Sequence, residues 1–172
     1  MKKEIRIVGF GGQGIILAGV ILGEAATRAG HWAVQTQSYG PESRGGGARS
    51  EVVISSDPID YPRVRRADVV VALSQEGYEK YGREPGIPTV VVDSDLVEAE
   101  TVQSLPFTKT AEEVGHKIVS NIVMVGYLGA LLDVVPHELL EETVLANIPE
   151  GTEELNARAL AAGRVLYENH AG

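Results

Sequence analysis

The chain contains no cysteine, and this absence excludes several kinds of chemistry. A protein without cysteine cannot form a disulfide, a thiolate metal site, a cysteine nucleophile or an iron–sulfur cluster held by cysteines. The lack of disulfides favours a cytoplasmic location. Aromatic residues are also scarce, at 5% of the chain, so we expect a core built from Val, Ile, Leu and Ala.

Long apolar segments are missing as well. The longest run of low polarity, Ile122 to Val135, contains glycines, a tyrosine and an aspartate. It is shorter than the roughly 20 residues that cross a bilayer, so we interpret it as a buried helix. The N-terminus, Met1 to Ile5, shows no signal-peptide pattern. We therefore expect no membrane segment and no secretion.

Basic residues are in deficit, and they are unevenly placed. Residues 1–66 contain 9 Lys and Arg against 6 Asp and Glu, whereas residues 67–172 contain 6 against 18. A net charge of −9 argues against nucleic-acid binding, which needs a cationic surface. Along the chain, the basic share lies close to two glycine-rich segments, as Arg44, Arg49, Arg63, Arg65 and Arg66. These arginines predict a local anion site or an acidic partner, with a solvated surface as the alternative.

The 172 residues, 44% of them hydrophobic, suit one globular domain over residues 1–172. Short apolar runs predict strands at residues 4–8, 32–36, 49–55, 67–73 and 89–92. Periodic segments predict helices at 13–29, 74–81, 110–132 and 137–147, and a last helix after Thr152. The third of these would open on the capping box Thr110 to Glu113. The alternation predicts an α/β fold: a single-domain, Rossmann-like, doubly wound and mostly parallel sheet with helices on both faces.

The first glycine-rich segment joins the first strand to the first helix. Its key residues are Gly9, Gly11, Gly12, Gln13 and Gly14. The spacing fits a dinucleotide-binding turn, whose exposed helix amides hold phosphate. Such a site also needs an acidic residue at the end of the second strand, and residues 34–38 contain none. We favour a tight turn that packs closely or faces a partner, with Gln13 either open to a ligand or bonded at the helix start.

The second glycine-rich segment, Ser38 to Gly47, is dense in functional groups. It contains Tyr39, Glu42, Ser43, Arg44, Gly45 and Gly46. Glycines let a backbone approach a cofactor, a substrate or another subunit closely. The competing interpretation is a surface ion pair between Glu42 and Arg44.

Other candidates are weaker. The four histidines show no metal-ligand spacing. Asp93 and Asp95 follow a strand and resemble a carboxylate pair, but aspartates at strand ends commonly cap turns. No nucleophile elbow, Walker-type phosphate loop or Ser-His-Asp pattern is present, so we assign no catalytic residue.

The order of these motifs resembles a known family. The Gly9 to Gly14 segment is followed by Ser38 to Gly46, then by the strands Ser50 to Ser55 and Ala67 to Leu73, the latter continuing into Ser74-Gln75-Glu76. The sequence resembles the gamma subunit of 2-oxoacid:ferredoxin oxidoreductases over nearly its whole length, and most of all the 2-oxoglutarate type.

The resemblance implies a multi-subunit enzyme that oxidatively decarboxylates a 2-oxoacid with coenzyme A (CoA), giving an acyl-CoA, carbon dioxide and reduced ferredoxin. It implies that thiamine diphosphate, magnesium and iron–sulfur clusters lie in partner subunits (alpha, beta and, in some complexes, delta), and that this chain alone binds none of them and is inactive. The two glycine-rich segments then become candidates for contacts with CoA or with other subunits, Arg44 above all. Two alternatives stay open: a stand-alone NAD(P)-binding oxidoreductase, and a non-catalytic interaction module or homodimer.

Overall fold

The computed structural model describes residues 1–39 and 47–171, which form a six-stranded sheet and six α-helices. The strands are β1 (Lys2–Phe10), β2 (Trp32–Tyr39), β3 (Gly47–Ser55), β4 (Val69–Ala72), β5 (Thr89–Asp93) and β6 (Gln103–Leu105). The helices are α1 (Ile15–Arg28), α2 (Gln75–Gly77), α3 (Phe107–Val114), α4 (Ser120–Leu132), α5 (His137–Ala146) and α6 (Glu153–His170). A π-helical turn (Tyr78–Gly82) continues α2, and a 3₁₀ turn (Lys117–Val119) precedes α4.

The sheet has the strand order β2-β3-β1-β4-β5-β6. The pairings of β1 with β4, β4 with β5 and β5 with β6 are parallel. β3 runs antiparallel to both of its neighbours, β1 and β2. The predicted α/β fold with a mostly parallel sheet is therefore confirmed. The antiparallel strand arises because only seven residues separate β2 from β3 in the chain, too few for a crossover to a parallel strand, so the chain returns directly beside β2.

The two faces of the sheet are covered unequally. Side chains alternate between the faces, and those on the first face, such as Ile5, Ile7 and Val71, join the main core beneath α1, α3, α4, α5 and α6. The second face is covered by α2, its π-helical turn and the segment of residues 56–67. The second face therefore has the thinner cover, and it carries the charged residues described below.

The glycines of α1 show how closely the helix approaches the sheet. A Cβ atom added to Gly19 would collide with Ser50 Oγ on β3, whereas one added to Gly23 would lie 3.7 Å from Gln35 Cβ. Close packing thus requires glycine at position 19 but not at position 23.

One helix start differs from its prediction and another agrees with it. The capping box at Thr110 is wrong, because α3 begins three residues earlier, at Phe107. The backbone amides of Thr108 and Lys109 donate instead to the carboxylates of Asp93, the last residue of β5, and of Asp95. Thr152 occupies the position before α6 as predicted, but its hydroxyl donates to the carbonyl of Pro149. Among the helices of the described chain, none is both long and apolar enough for a membrane span.

Candidate functional site

The first glycine-rich segment lies where β1 ends, at what we call the carboxyl edge of the sheet. Gly12 and Gly14 adopt left-handed backbone conformations, with φ of 87° and 72°. Gly14 occupies the position before α1, and the Asn121 amide from α4 donates to its carbonyl at 3.3 Å. The predicted strand-to-helix turn is confirmed, and α4 holds it from one side.

Gln13 fastens this turn to the neighbouring strand. Its Oε1 accepts a hydrogen bond from the Phe10 amide at 2.6 Å, and its Nε2 donates to the Leu73 carbonyl at 2.9 Å. A Cβ atom on Gly9 would collide with Gln13 Oε1. Both ends of the Gln13 amide are therefore used inside the protein, which supports the structural interpretation of this residue.

The sheet order removes the geometric basis for a dinucleotide site. In a Rossmann site the second strand lies beside the first, and its end carries the acid for the ribose. Here β3 lies between β1 and β2, and β2 contains no acidic residue. The Gly9 to Gly14 turn thus has the glycine spacing of a nucleotide site without the ribose-binding strand beside it.

The second glycine-rich segment begins and ends at this same edge. Tyr39 pairs with Ala48, and Phe10 pairs with Gly47, so both flanks of the segment lie at the carboxyl edge, level with the end of β1. The backbone of Tyr39 is the last part of β2. Glu42, Ser43, Arg44, Gly45 and Gly46 lie outside the described residues.

A cleft of about 430 Å³ lies on the second face, next to these flanks. Its lining combines strand ends with α2 and the π-helical turn: Val8, Gly9, Phe10, Ser38, Gly47, Ala48, Arg49, Ser74, Glu76, Gly77, Lys80 and Tyr81. Ser74 caps α2, because its Oγ accepts the Gly77 amide at 3.0 Å. The cleft therefore has a rigid wall on the α2 side.

Cations surround Tyr81 at this cleft. The Arg49 guanidinium donates to the Tyr81 hydroxyl at 3.0 Å. The charged groups of Arg6, Arg49 and Lys80 lie 5.2, 5.4 and 5.3 Å from the centre of the Tyr81 ring. Such distances are typical of cation–π contacts, which hold a charged group over the face of an aromatic ring.

The buried carboxylate of Glu51 pairs with two of these cations, Arg6 and Arg49. Glu51 accepts from Arg6 Nε at 3.1 Å and lies 3.6 Å from Arg49 Nε. Arg6 also reaches the half-exposed Glu84 at 3.3 Å. The side chains of Arg6 and Glu51 are only 10% and 7% exposed, whereas that of Arg49 is 30% exposed. Arg49 is thus the member of this network that can meet a ligand, and Glu51 and Tyr81 fix its position.

Asp93 and Asp95 have structural contacts. Asp93 accepts from the Thr108 hydroxyl at 2.6 Å and from the Thr108 and Asp95 amides. Burial raises the pKa of Asp93, and these hydrogen bonds oppose the rise. Within residues 1–39 and 47–171, no three His, Asp or Glu side chains converge in a way that could hold a metal ion.

The arginines divide between two edges of the sheet, contrary to the prediction from their place in the chain. Arg49 lies in the cleft. The backbone amides of Arg65 and Arg66 bond to Glu4, near the start of β1, so this pair and Arg63 lie at the opposite edge. Sequence reasoning missed Arg6, Glu51 and Tyr81, because only the register of β1 with β3 brings Arg6 beside Glu51.

Comparisons with known proteins agree with the motifs. The model of the family described as pyruvate ferredoxin/flavodoxin oxidoreductase matches residues 4–166. The chain is 51% identical to the 2-oxoglutarate synthase subunit KorC of Methanocaldococcus jannaschii, over 95% of this chain and 92% of that protein.

Two solved structures are similar in fold as well. The gamma subunit of a keto/oxoacid ferredoxin oxidoreductase from Geobacter sulfurreducens is 42% identical, with a TM-score of 0.84 over 98% of both chains. The 2-oxoglutarate:ferredoxin oxidoreductase of Magnetococcus marinus, solved with 2-oxoglutarate, coenzyme A and succinyl-CoA bound, is 27% identical, with a TM-score of 0.84. That match covers 98% of this chain but 31% of the Magnetococcus chain. The resemblance to the gamma subunits is thus confirmed, and the chain belongs to the pyruvate ferredoxin/flavodoxin oxidoreductase family.

Proposed function

We propose that this chain is the gamma subunit of a cytoplasmic 2-oxoglutarate:ferredoxin oxidoreductase, which converts the 2-oxoacid and CoA to succinyl-CoA and carbon dioxide while reducing ferredoxin. The names of its relatives support the substrate and the acceptor. Thiamine diphosphate, magnesium and the iron–sulfur clusters belong to the alpha, beta or delta subunits in this proposal. The gamma chain contributes binding and positioning.

The carboxyl edge is the face that meets the thiamine-bearing subunits. Three large apolar side chains lie exposed there, after the ends of β1 and β5 and before α4: Phe10 (39%), Leu96 (44%) and Ile118 (71%). Exposed apolar groups of this kind are typical of protein interfaces.

The cleft receives an anionic group, and this part of the proposal is carried by Arg49. Its guanidinium is part-exposed and is held by Tyr81 and Glu51, so it is oriented before a ligand arrives. Lys80 adds a second cation to the cleft wall. Arg44, in the adjoining segment, is the third candidate. The anion is a phosphate of CoA or a carboxylate of a partner subunit, since guanidinium groups recognise both.

Replacing Arg49 or Arg44 by Ala in the reconstituted complex tests this assignment. If CoA is the ligand, we expect KM for CoA to rise about tenfold or more, with KM for 2-oxoglutarate unchanged, because one charge-assisted hydrogen bond is lost. If a partner carboxylate is the ligand, assembly of the complex weakens instead. The matched control is Arg28→Ala, since Arg28 makes only an exposed pair with Glu24 at the end of α1. Unchanged CoA kinetics together with unchanged assembly would refute the anion site.

The competing stand-alone dehydrogenase is tested separately. We expect no saturable binding when the isolated chain is titrated calorimetrically with NADH and with NADPH. Tight binding of either nucleotide would favour the competitor.

A further inference from the structure

A second set of exposed side chains lies at the amino edge of the sheet, where β1 and β4 begin. Three of its members are large and apolar or aromatic, with exposed fractions of 55% for Trp32, 47% for Met1 and 42% for Tyr61. The other three are the exposed arginines of one short loop. We call this set the amino-edge patch; it consists of Met1, Trp32, Tyr61, Arg63, Arg65 and Arg66.

Trp32 is the only tryptophan of a chain that has few aromatic residues. It pairs with Ser55 on β3, and Ser55 pairs with Lys2 on β1, so the three side chains form one row across the second face. The backbone of Met1 lies next to this row, because its carbonyl accepts the Ser56 amide at 2.9 Å. Burying a tryptophan is strongly favourable, and one left more than half exposed suits a surface that becomes covered by another molecule.

The arginine loop is held rigidly from beneath. Val64 and Ala67 are buried against β3 and β4. The buried carboxylate of Glu4 accepts the backbone amides of Arg65 and Arg66, at 3.2 and 2.9 Å. The Arg65 guanidinium stacks on Tyr61, 4.0 Å from the ring centre. The loop is therefore ordered before any partner arrives, which reduces the entropic cost of binding.

The guanidinium groups of this loop lack carboxylate partners in the part of the chain that the structure describes. No Asp or Glu oxygen of the described residues lies within 4.0 Å of Arg63, Arg65 or Arg66. Asp57 and Asp60 are exposed earlier in the same loop, so the positive charge is concentrated at residues 63–66. Tryptophan, tyrosine, methionine and arginine are also the residue types enriched at protein interfaces and at their energetic centres.

We propose that the amino-edge patch docks an acidic surface of a second protein, distinct from the partner at the carboxyl edge. Carboxylates of that protein pair with Arg63, Arg65 and Arg66, while Trp32 and Tyr61 supply the apolar contact. This inference rests on the proposed function, in that the chain works inside a multi-subunit complex.

Oxidative footprinting of the isolated chain and of the purified native complex tests the two faces independently. In the isolated chain we expect Trp32, Tyr61 and Phe10 to be modified, and the fully buried Met124 to be protected. In the complex we expect Trp32 and Tyr61 to lose their reactivity, down to the level of Met124. If Phe10 becomes protected while Trp32 stays reactive, the amino-edge proposal is overturned and carboxyl-edge docking stands. The reverse result overturns carboxyl-edge docking alone.

Charge removal tests the chemistry of the partner. We expect the triple variant R63Q/R65Q/R66Q to assemble roughly 3- to 100-fold more weakly than the natural chain, since three exposed ion pairs are lost. The matched control R28Q/R158Q/R164Q removes three charges from the helical layer and should assemble normally. Equal behaviour of the two variants would overturn the acidic-partner assignment.

A second copy of the chain is the competing occupant, because residues 67–172 carry the excess of acidic side chains. Analytical ultracentrifugation of the isolated natural chain and of the triple variant decides this. Self-association that disappears in the triple variant would overturn the proposal in favour of a homodimer. A monomer in both samples supports a different protein.

Discussion

The two edges of the sheet are stabilised by the same kind of hydrogen bond but expose different side chains to solvent. At each edge, polar side chains satisfy backbone amides: Gln13, Ser74 and Asp93 at the carboxyl edge, and Glu4 and Asp68 at the amino edge. The carboxyl edge exposes apolar side chains and a cleft whose cations are partly neutralised by Glu51. The amino edge exposes arginines, and no carboxylate of the described residues pairs with their guanidinium groups.

This difference shows that the contacts of an arginine within the protein determine which kind of ligand it can bind. Arg49 is part of a buried network and is oriented for one ligand group, whereas Arg63, Arg65 and Arg66 extend from a rigid backbone and have exposed side chains. A preoriented guanidinium suits a small anion, since little freedom is lost on binding. Exposed arginines suit a broad acidic surface and a binding strength that depends on salt. Four substitutions test this comparison.

The largest effect is expected for Glu51→Ala. The variant leaves Arg6 buried and paired only with Glu84, and it removes the support beneath Arg49. Breaking a buried ion pair costs about 3–5 kcal/mol, which should appear in the free energy of unfolding measured with urea. Glu84→Ala is the control, because its half-exposed carboxylate should matter by less than about 1 kcal/mol. Equal losses in the two variants would mean that Glu51 does not support the cleft.

Glu4→Gln tests the amino edge in the same way, with a smaller expected loss in the free energy of unfolding. The amide keeps an acceptor oxygen but loses the negative charge that binds the amides of Arg65 and Arg66 and the Lys2 ammonium. We expect a loss of about 1.5–3 kcal/mol, the range for hydrogen bonds to charged groups. Hydrogen exchange measured by NMR should accelerate at Arg65 and Arg66 and stay unchanged at Gly77, across the sheet. A uniform acceleration would contradict local support of the arginine loop.

The sequence predicts local features of both edges and misses those that depend on register. The turn at Gly9 to Gly14 is predictable because its glycines lie between an apolar strand and a periodic helix. The Arg6–Glu51–Arg49 network is not, since these residues meet only when β1 pairs with β3. Likewise the local capping signal at Thr110 is overridden by Asp93 and Asp95, which bind the first amides of α3 after the chain has folded.

The arginines illustrate the limit of reasoning from position in the chain. Arg63, Arg65 and Arg66 follow the second glycine-rich segment closely, and this proximity suggested a common site. However, β3 runs antiparallel to β1 and carries the chain from the carboxyl edge back to the amino edge. A single strand of opposite direction thus separates one apparent basic cluster into two surfaces with different partners in our proposals.

Gln13→Ala is the matching probe of the carboxyl edge. It removes the hydrogen bonds with the Phe10 amide and the Leu73 carbonyl, at a cost of about 1–2 kcal/mol for two bonds between neutral groups. Gln37→Ala, on the outer strand β2, is the control and should change stability by less than about 0.5 kcal/mol. We further expect the variant to loosen the turn that carries Phe10, so assembly at the carboxyl edge should weaken. Trp32 should still be protected from oxidation in the complex. If Trp32 lost its protection from oxidation in this variant, the two edges would be coupled.

Replacing Asp93 should change stability least, and this change should depend on pH. Burial raises its pKa above 3.8, so the folded protein binds this proton more tightly than the unfolded chain does. The associated stability is fully present below pH 3.8 and is lost as the pH rises through the raised pKa. The stability of the natural protein relative to Asp93→Asn should therefore decrease from about pH 3.5 to about pH 7, in urea unfolding curves recorded across this range. An increase over the same range would mean that the bonds from Thr108 and Asp95 outweigh burial, and that the carboxyl edge stabilises the anion of its buried carboxylate.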